Sequence, residues 1–390
     1  MAPVTARGLT DLALELAQKS AGFLRSMPDS LLVSLAGLVR SVNCYYRNLI
    51  EGHDTHPIDI ERALHSEYSR DAKKRALQLE AKAHINVQQW IDDGGLKSGA
   101  VTADCIREIH RRFCELLPDD LLWVEDPTTG EHIKVIPGEL RHRDVAVGNH
   151  IPVSPPAVPR FLQRFEQVYG RLGKTETILA TAGVHHRLVW IHPFLDGNGR
   201  VARLMSHATL LEALNTGAVW SIARGLARSV DAYKAHLAAC DQPRRNDLDG
   251  RGQLSEESLE EFTRFFLTTC LDQVAFMEEL MQPRQLHARI LLWTEEEIRL
   301  ERLPPKSGAI LEAVLYRGEL PRSDIAGIVS TGERQARRVV SALIHRGVLI
   351  SKSSRAPLRL AFPATLALRW MLGLFSERTG HRFDSDSNAH

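Results

Sequence analysis

Twelve consecutive residues concentrate the chemistry of this 390-residue chain: His192, Pro193, Phe194, Leu195, Asp196, Gly197, Asn198, Gly199, Arg200, Val201, Ala202 and Arg203. Gly197-Asn198-Gly199 spells a tight loop, and the pattern RVARLMSHATLLEAL that follows is that of a helix. A glycine-rich loop feeding a helix N-terminus presents backbone N–H groups and positive potential, which is a cradle for phosphate. Asp196, one residue ahead, stands where a carboxylate holds Mg2+ against the same phosphates. Arg200 and Arg203 are three apart, share a helix face and both reach a polyphosphate. His192, at the preceding turn, carries the ring suited to removing a proton near pH 7. Phe194 is apolar in a polar loop and reads as an inward anchor. A base, a metal ligand, an anion cradle and two guanidiniums together compose a site for phosphoryl or nucleotidyl transfer.

Other chemical signals are weaker. DGGLKSG at 93–99 resembles a phosphate loop, but Leu96 stands where glycine is required before the lysine. DLDGRGQLS at 247–255 resembles a calcium loop, but Arg251 is cationic at a ligand position and Ser258 replaces the closing glutamate, so a capped inter-helix loop is expected. His185 and His186 precede an apolar helix end and read as packing residues rather than zinc ligands. Tyr233 fits either adenine stacking or the core.

Positioning those residues falls mainly to helices. Hydrophobic residues make up 44% of the chain and charged residues 25%, the mix of a globular protein, which excludes a disordered chain, a collagen and a disulfide scaffold. No stretch approaches the roughly 18 apolar residues of a membrane helix. The charged N-terminus lacks a signal-peptide core, so a cytoplasmic protein with no membrane partner is expected. Five scattered cysteines fit reduced thiols. Helical periodicity begins after a capping-type Asp29 or Ser30 and returns over roughly 57–90, 103–117, 157–190, 200–214, 229–240 and 255–281. The exception is 130–156, whose short β-type runs, glycines and prolines predict a hairpin and an extended loop.

Charge divides the chain. Residues 304–375 carry eleven Lys and Arg against four Asp and Glu, while 1–303 are net acidic. Beyond the charged RLERLPPK come a short helix, a second helix capped by Ser323, a Thr331-Gly332 turn, a third helix and two strands around a basic loop. That is a winged-helix order, with Arg334, Arg337 and Arg338 on the third helix where DNA-reading side chains would be. The expected organisation is therefore an N-terminal helical region over 1–110, a core over 111–300, a winged helix over 304–375 and a disordered tail over 376–390.

Residues 192–203 resemble the Fic motif, His-x-Phe-x-(Asp/Glu)-Gly-Asn-Gly-Arg-x-x-Arg, with every defining position filled. The resemblance extends from about 40 to 281. It implies an all-α Fic helical core with a β-hairpin flap, and a protein adenylyltransferase that moves AMP from ATP to a Ser, Thr or Tyr hydroxyl of a target protein. His192 would then deprotonate the hydroxyl and Asp196 would hold Mg2+ on the α- and β-phosphates. Gly197, Asn198 and Gly199 would form the anion hole, with Arg200 on the phosphates and Arg203 on the γ-phosphate. The flap, at about 130–150, would dock the target by strand pairing, with Leu140 to Val147 as its edge.

RNLIEG, Arg47 to Gly52, resembles the inhibitory helix of such proteins, (Ser/Thr)-x-x-x-Glu-(Gly/Asn), within a helix over about 30–52. Glu51 and Gly52 match and Arg47 departs. The resemblance implies that Glu51 pairs with Arg203 and displaces the γ-phosphate. Rival expectations are a winged-helix DNA-binding regulator that uses the body as a nucleotide sensor, and an enzyme with another donor or one that removes AMP. A homodimer is compatible with either.

Overall fold

The computed structural model describes residues 7–53, 55–126, 129–148, 150–249 and 252–375. Sixteen α-helices and five short strands are found among them. The first five are α1 (Arg7–Arg25), α2 (Asp29–Ile50), α3 (Pro57–Leu64), α4 (Ala72–Asp92) and α5 (Ala103–Glu115). A hairpin of β1 (Trp123–Glu125) and β2 (His132–Lys134) follows. Next come α6 (Val158–Tyr169), α7 (Lys174–Ile191), α8 (Asn198–Leu214), α9 (Ala223–Arg228), α10 (Val230–Cys240) and α11 (Glu256–Leu280). The remainder runs α12 (Pro283–Arg299), α13 (Ser307–Arg317), β3 (Glu319–Leu320), α14 (Ile325–Val329), α15 (Glu333–His345), β4 (Leu349–Ile350), β5 (Leu358–Leu360) and α16 (Ala364–Trp370). The chain is all-α with a small β component, as its periodicity predicts.

Local chemistry explains where the expected helices break. The run expected over 157–190 is two helices. Gly170 ends α6, Gly173 starts α7, and Glu176 turns back to accept from the Gly173 N–H at 2.9 Å. The run over 57–90 divides between α3 and α4, where Asp71 caps α4 by accepting from Lys74 N at 2.8 Å. Helix α2 starts at Asp29 with Pro28 in the cap position and no side-chain cap. Helix α14 starts after Asp324, and Ser323 bonds to that aspartate rather than capping the helix. Helices α1, α9, α12 and α16 lie outside the expected runs.

The hairpin is displaced toward the N-terminus of its expected range. Trp123 pairs with Lys134 and Glu125 with His132 in an antiparallel register. Beyond it, Gly138 turns the chain under α5 with φ +74°. Its N–H donates to His110 Nδ1 at 2.9 Å and its carbonyl accepts from Arg107 Nε at 2.9 Å. A Cβ there would stand 3.1 Å from Arg111 Cβ, so backbone geometry and space both call for glycine. Residues 142–144 and 146–148 are exposed, and Val147 and His150 form an isolated bridge in this segment.

Two apolar clusters hold the molecule. One joins α4 to α8 around Phe113, Phe165, Phe194 and Met205. The other runs from α1 and α2 through α11 and α12 into the C-terminal elements, around Tyr46, Trp220, Phe266, Trp293 and Trp370. The second cluster is continuous across 299–306. After Pro304 the order is helix, strand, two helices and two strands, with a three-stranded antiparallel sheet ordered β3-β5-β4. This part is seated on α2 and α3. Tyr46 donates to the Leu374 carbonyl at 2.9 Å, Glu61 accepts from Thr365 N at 2.9 Å, and Trp293 meets Trp370 edge to face at 5.2 Å. The tail expected to be disordered, 376–390, lies outside the described residues. No helix among the described residues is long and apolar enough to cross a membrane. All five cysteines are buried and free.

Candidate active site

Helices α7 and α8 pack along each other, and the six residues between them carry the site. Helix α7 ends where His192 adopts the left-handed conformation, φ 51° and ψ 63°, its N–H still bonded to the Leu188 carbonyl at 3.0 Å. That conformation is uncommon for a residue with a Cβ and marks a constrained position. His192 Nδ1 lies 3.3 Å from the Val189 carbonyl, and donation there leaves Nε2 as the ring's proton acceptor. Burial pulls the imidazole pKa down to about 4, against the Val189 carbonyl, so the ring is neutral at pH 7.

The rest of the loop is over-determined. Phe194 is fully buried and stacks on His110 with ring centroids 3.9 Å apart. The Asn198 side chain staples Phe194 from both sides, accepting from its N–H at 2.9 Å and donating to its carbonyl at 2.8 Å. Its contribution to an anion cradle is therefore its backbone N–H. Gly197 takes φ +80° ahead of α8, whose first-turn N–H groups lack intrahelical acceptors. Arg141 straps the loop from outside: its N–H donates to the Pro193 carbonyl at 2.9 Å, its Nε to the His192 carbonyl at 2.7 Å and its Nη1 to the Arg143 carbonyl at 2.9 Å. A further bond runs from Arg141 Nη2 to the Val153 carbonyl.

Glu51 arrives from α2. It is the C-cap of that helix, and Gly52 follows with φ +80°. Gly52 N–H donates to the Leu49 carbonyl at 3.1 Å and His53 N–H to the Asn48 carbonyl at 2.8 Å, the paired bonds of a Schellman ending. This ending aims the Glu51 carboxylate at α8, where one oxygen pairs with Arg203 Nη2 and the other lies 3.8 Å from Arg200 Nε. Arg200 is also 3.4 Å from Glu80 on α4 and 3.6 Å from the half-exposed Asp196. Burial alone would raise the Glu51 pKa, but Arg203, Arg47 and Arg200 outweigh it and hold the carboxyl at about 2. Gly199 leaves room for the Arg203 guanidinium, since a Cβ there would stand 3.2 Å from Arg203 Nη1.

The expected site residues His192, Asp196, Gly197, Asn198, Gly199, Arg200 and Arg203 thus share one loop and helix start, and Glu51 comes to them from 152 positions along the chain from Arg203. Arg334, Arg337 and Arg338 are exposed on α15, outside this site. Three participants escaped the sequence reading. Glu80 and His110 sit in unremarkable helical patterns, and only pairing across helices gives them meaning. Arg141 fell within the expected flap edge, Leu140 to Val147, without sign of its partners. The weaker motifs resolve as structure. Asp249 accepts from Arg245 N at 2.8 Å and Glu257 N at 2.9 Å, an inter-helix cap. Buried His185 bonds to Ser206 at 2.9 Å and to the Tyr233 hydroxyl at 2.7 Å, and His186 pairs with Asp241 at 2.8 Å. Among the described residues no group of three or more His, Cys, Asp or Glu side chains could hold a metal by itself.

Residues 100–210 match the model of the Fic/DOC family. Over 171 residues, 43% of this chain, the sequence is 29% identical to the Protein adenylyltransferase Fic of Drosophila erecta, covering 32% of that protein. It is likewise 29% identical to that of Drosophila ananassae, covering 31% of it. The chain thus spans about a third of the length of these curated relatives. The crystal structure of a Fic family protein from Desulfovibrio desulfuricans G20 superposes with a TM-score of 0.53 over 93% of this chain and 98% of that one, at 14% identity, a likeness of fold. The complete motif, its loop-to-helix geometry and the family model fall on the same residues, so the segment 100–210 is a domain of the Fic/DOC type.

Proposed function

We propose that this chain is a protein adenylyltransferase that transfers AMP from ATP to a hydroxyl side chain of a target protein and is restrained by its own Glu51. One observation carries the reading: the Glu51 carboxylate is paired with Arg203 and lies beside Arg200, at the start of the helix that would receive the phosphates. The relatives' printed activity supports the same reaction class.

The chemistry divides among this chain's residues. The first-turn N–H groups of α8, with Gly197, Asn198 and Gly199, cradle phosphate oxygens. Arg200 neutralises their charge, and Arg203 binds the γ-phosphate once Glu51 leaves. His192 Nε2 takes the proton from the incoming hydroxyl as its oxygen bonds to the α-phosphorus and the bond to pyrophosphate breaks. The half-exposed Asp196 carboxylate is the group that would hold Mg2+. A lone carboxylate beside a phosphate cradle suits that ion, which takes one or two protein oxygens and fills its shell with phosphates and water. When bound, the ion would neutralise charge on the phosphates. The largely exposed segment 142–148 fits target docking by backbone pairing.

The test is labelling of a lysate with ATP carrying a tagged adenosine. The Glu51→Gly variant should label proteins about 10- to 150-fold more than wild type, the equivalent of a charge-assisted pair of about 1.5–3 kcal/mol. Equal labelling would reduce Glu51 to a helix end, and no labelling by either would remove the activity.

A second reading concerns α15. Arg334, Arg337 and Arg338 are exposed on it, in the net-basic part of the chain, which fits a winged helix on DNA. Duplex binding in a mobility-shift assay should then be lost on replacing all three by Ala, with a salt slope flatter by about one unit per lost phosphate contact. Unchanged affinity in the triple variant, or no wild-type shift, leaves α15 without a DNA role.

A further inference from the structure

Behind the Glu51–Arg203 pair lies a cavity of about 30 Å³ lined by α2, α4 and α8 and closed by residues of α7, α9 and α11. Part of its polar lining pairs within itself, Asn43 Nδ2 donating to Gln88 Oε1 at 3.2 Å and His185 Nδ1 meeting Ser206 Oγ at 2.9 Å, but six atoms are left over. Arg47 Nε and Nη1, Gln88 Nε2, Arg203 Nε, His84 Nδ1 and Asn43 Oδ1 are all inaccessible to solvent and have no hydrogen-bond partner in the protein. Arg47, Gln88, His84 and Asn43 are each at least nine-tenths buried. Unpaired buried polar atoms are costly and ordinarily few, and here they converge on one space.

The balance of donors and charge identifies what fits. Four of the six atoms are N–H donors from Arg47, Gln88 and Arg203, against one firm acceptor, Asn43 Oδ1. A water accepts at most two hydrogen bonds and needs acceptors for its own two protons, which these unpaired atoms supply poorly. A spherical anion accepts from all the donors and asks for no acceptor. Charge points the same way. Arg47 and Arg203 line the cavity and no carboxylate does. On the far side Glu51 and Glu80 are shared among three guanidiniums: Glu80 lies 3.9 Å from Arg47 and 3.4 Å from Arg200, while Glu51 serves Arg203 and Arg200. Asp196 reaches Arg200 alone, from the solvent side. The space admits one or two waters, or a single halide-sized ion.

We infer that this cavity is a binding site for one small monovalent anion, chloride under ordinary ionic conditions, held by Arg47, Gln88 and the inner edge of Arg203. The anion fixes Arg47 on α2 against Arg203 on α8, so its occupancy strengthens the docking of the helix that carries Glu51. That consequence rests on the proposed restraint by Glu51; the binding itself does not.

Crystals of the full chain grown in bromide should show an anomalous-scattering peak within hydrogen-bond reach of Arg47 and Gln88. In solution, the unfolding midpoint should rise saturably by about 2–4 °C in chloride or bromide relative to gluconate at equal ionic strength. Gln88→Glu brings a carboxylate into the cavity and should make the midpoint insensitive to halide. If that variant does not fold, the peak and the wild-type salt series decide. Absence of the peak together with equal midpoints means water alone and overturns the site, and halide dependence retained in Gln88→Glu places the anion elsewhere and overturns it too. A peak in a protein that labels nothing would leave the anion site standing and remove only the enzymatic reading.

Discussion

At the scale of single residues, the site depends on side chains held in unusual states. His192 sits in left-handed backbone and is kept neutral by burial, which suits a base that must accept a proton at physiological pH. His192→Ala should therefore lower AMP transfer by about 100- to 10,000-fold while ATP binding, followed by calorimetry, changes little, because the ring acts on the target hydroxyl and not on the phosphates. Wild-type transfer in that variant would sink the assignment. Arg47 shows what residue type alone conceals. From the sequence it is a departure from a hydroxyl position, yet in the fold it is wholly buried, donates to Asn48 Oδ1 at 2.8 Å and leans on Phe113 at 5.8 Å, a ring that Arg200 also approaches at 5.0 Å.

At the scale of elements, the end of α2 and the start of α8 are two helix termini built to meet. The Glu51-Gly52 pair was legible as a helix end because glycine at that place relieves left-handed strain. No neighbour lies within 4 Å of a Cβ added at Gly52, so Gly52→Ala tests conformation alone. It should destabilise by about 1 kcal/mol, seen as a lower unfolding midpoint, and raise labelling by about fivefold as the helix end frays, less than Glu51→Gly does. An unchanged midpoint with unchanged labelling would show that the Schellman ending does not position Glu51. The hairpin was legible in kind but not in place. The β-propensity of 130–150 competes there with tertiary contacts that hold Gly138 under α5 and clamp Arg141 to the loop at 192–197, and these leave the chain irregular.

At the scale of the whole molecule, burial of histidines sets the response to acid. His192 and His110 are pulled to about 4 and His185 to about 3, each chiefly by burial, and His84 and His186 are lowered for the same reason. A histidine whose folded pKa lies below its unfolded value of about 6.5 adds stability that is complete above that pH and lost as pH falls toward the folded value. For His192 and His110 this amounts to on the order of 3 kcal/mol each. Glu51, lowered from an unfolded value of 4.5 to about 2, gives up its contribution mainly between those two values, so most of the loss between pH 6.5 and 4.5 belongs to the histidines. The unfolding midpoint should drop steadily across that window, and a flat profile from pH 7.5 to 4.5 would contradict it. The C-terminal elements share this fate, because one apolar cluster runs from α1 and α2 to Trp370 and Phe375.

The sequence by itself determined what is local: the loop and helix start at 192–203, the helix end at Glu51-Gly52 and most helical runs, because glycine placement, charge spacing and apolar period act over a few residues. Tertiary structure alone decided what depends on elements far apart in the chain. It brought Glu51 to Arg203, gave Glu80, His110 and Arg141 their partners, and seated the residues after Pro304 on α2. It also gathered the unpaired donors of α2, α4 and α8 around one cavity. Those juxtapositions follow from packing of side chains distant in sequence, which no short-range pattern encodes.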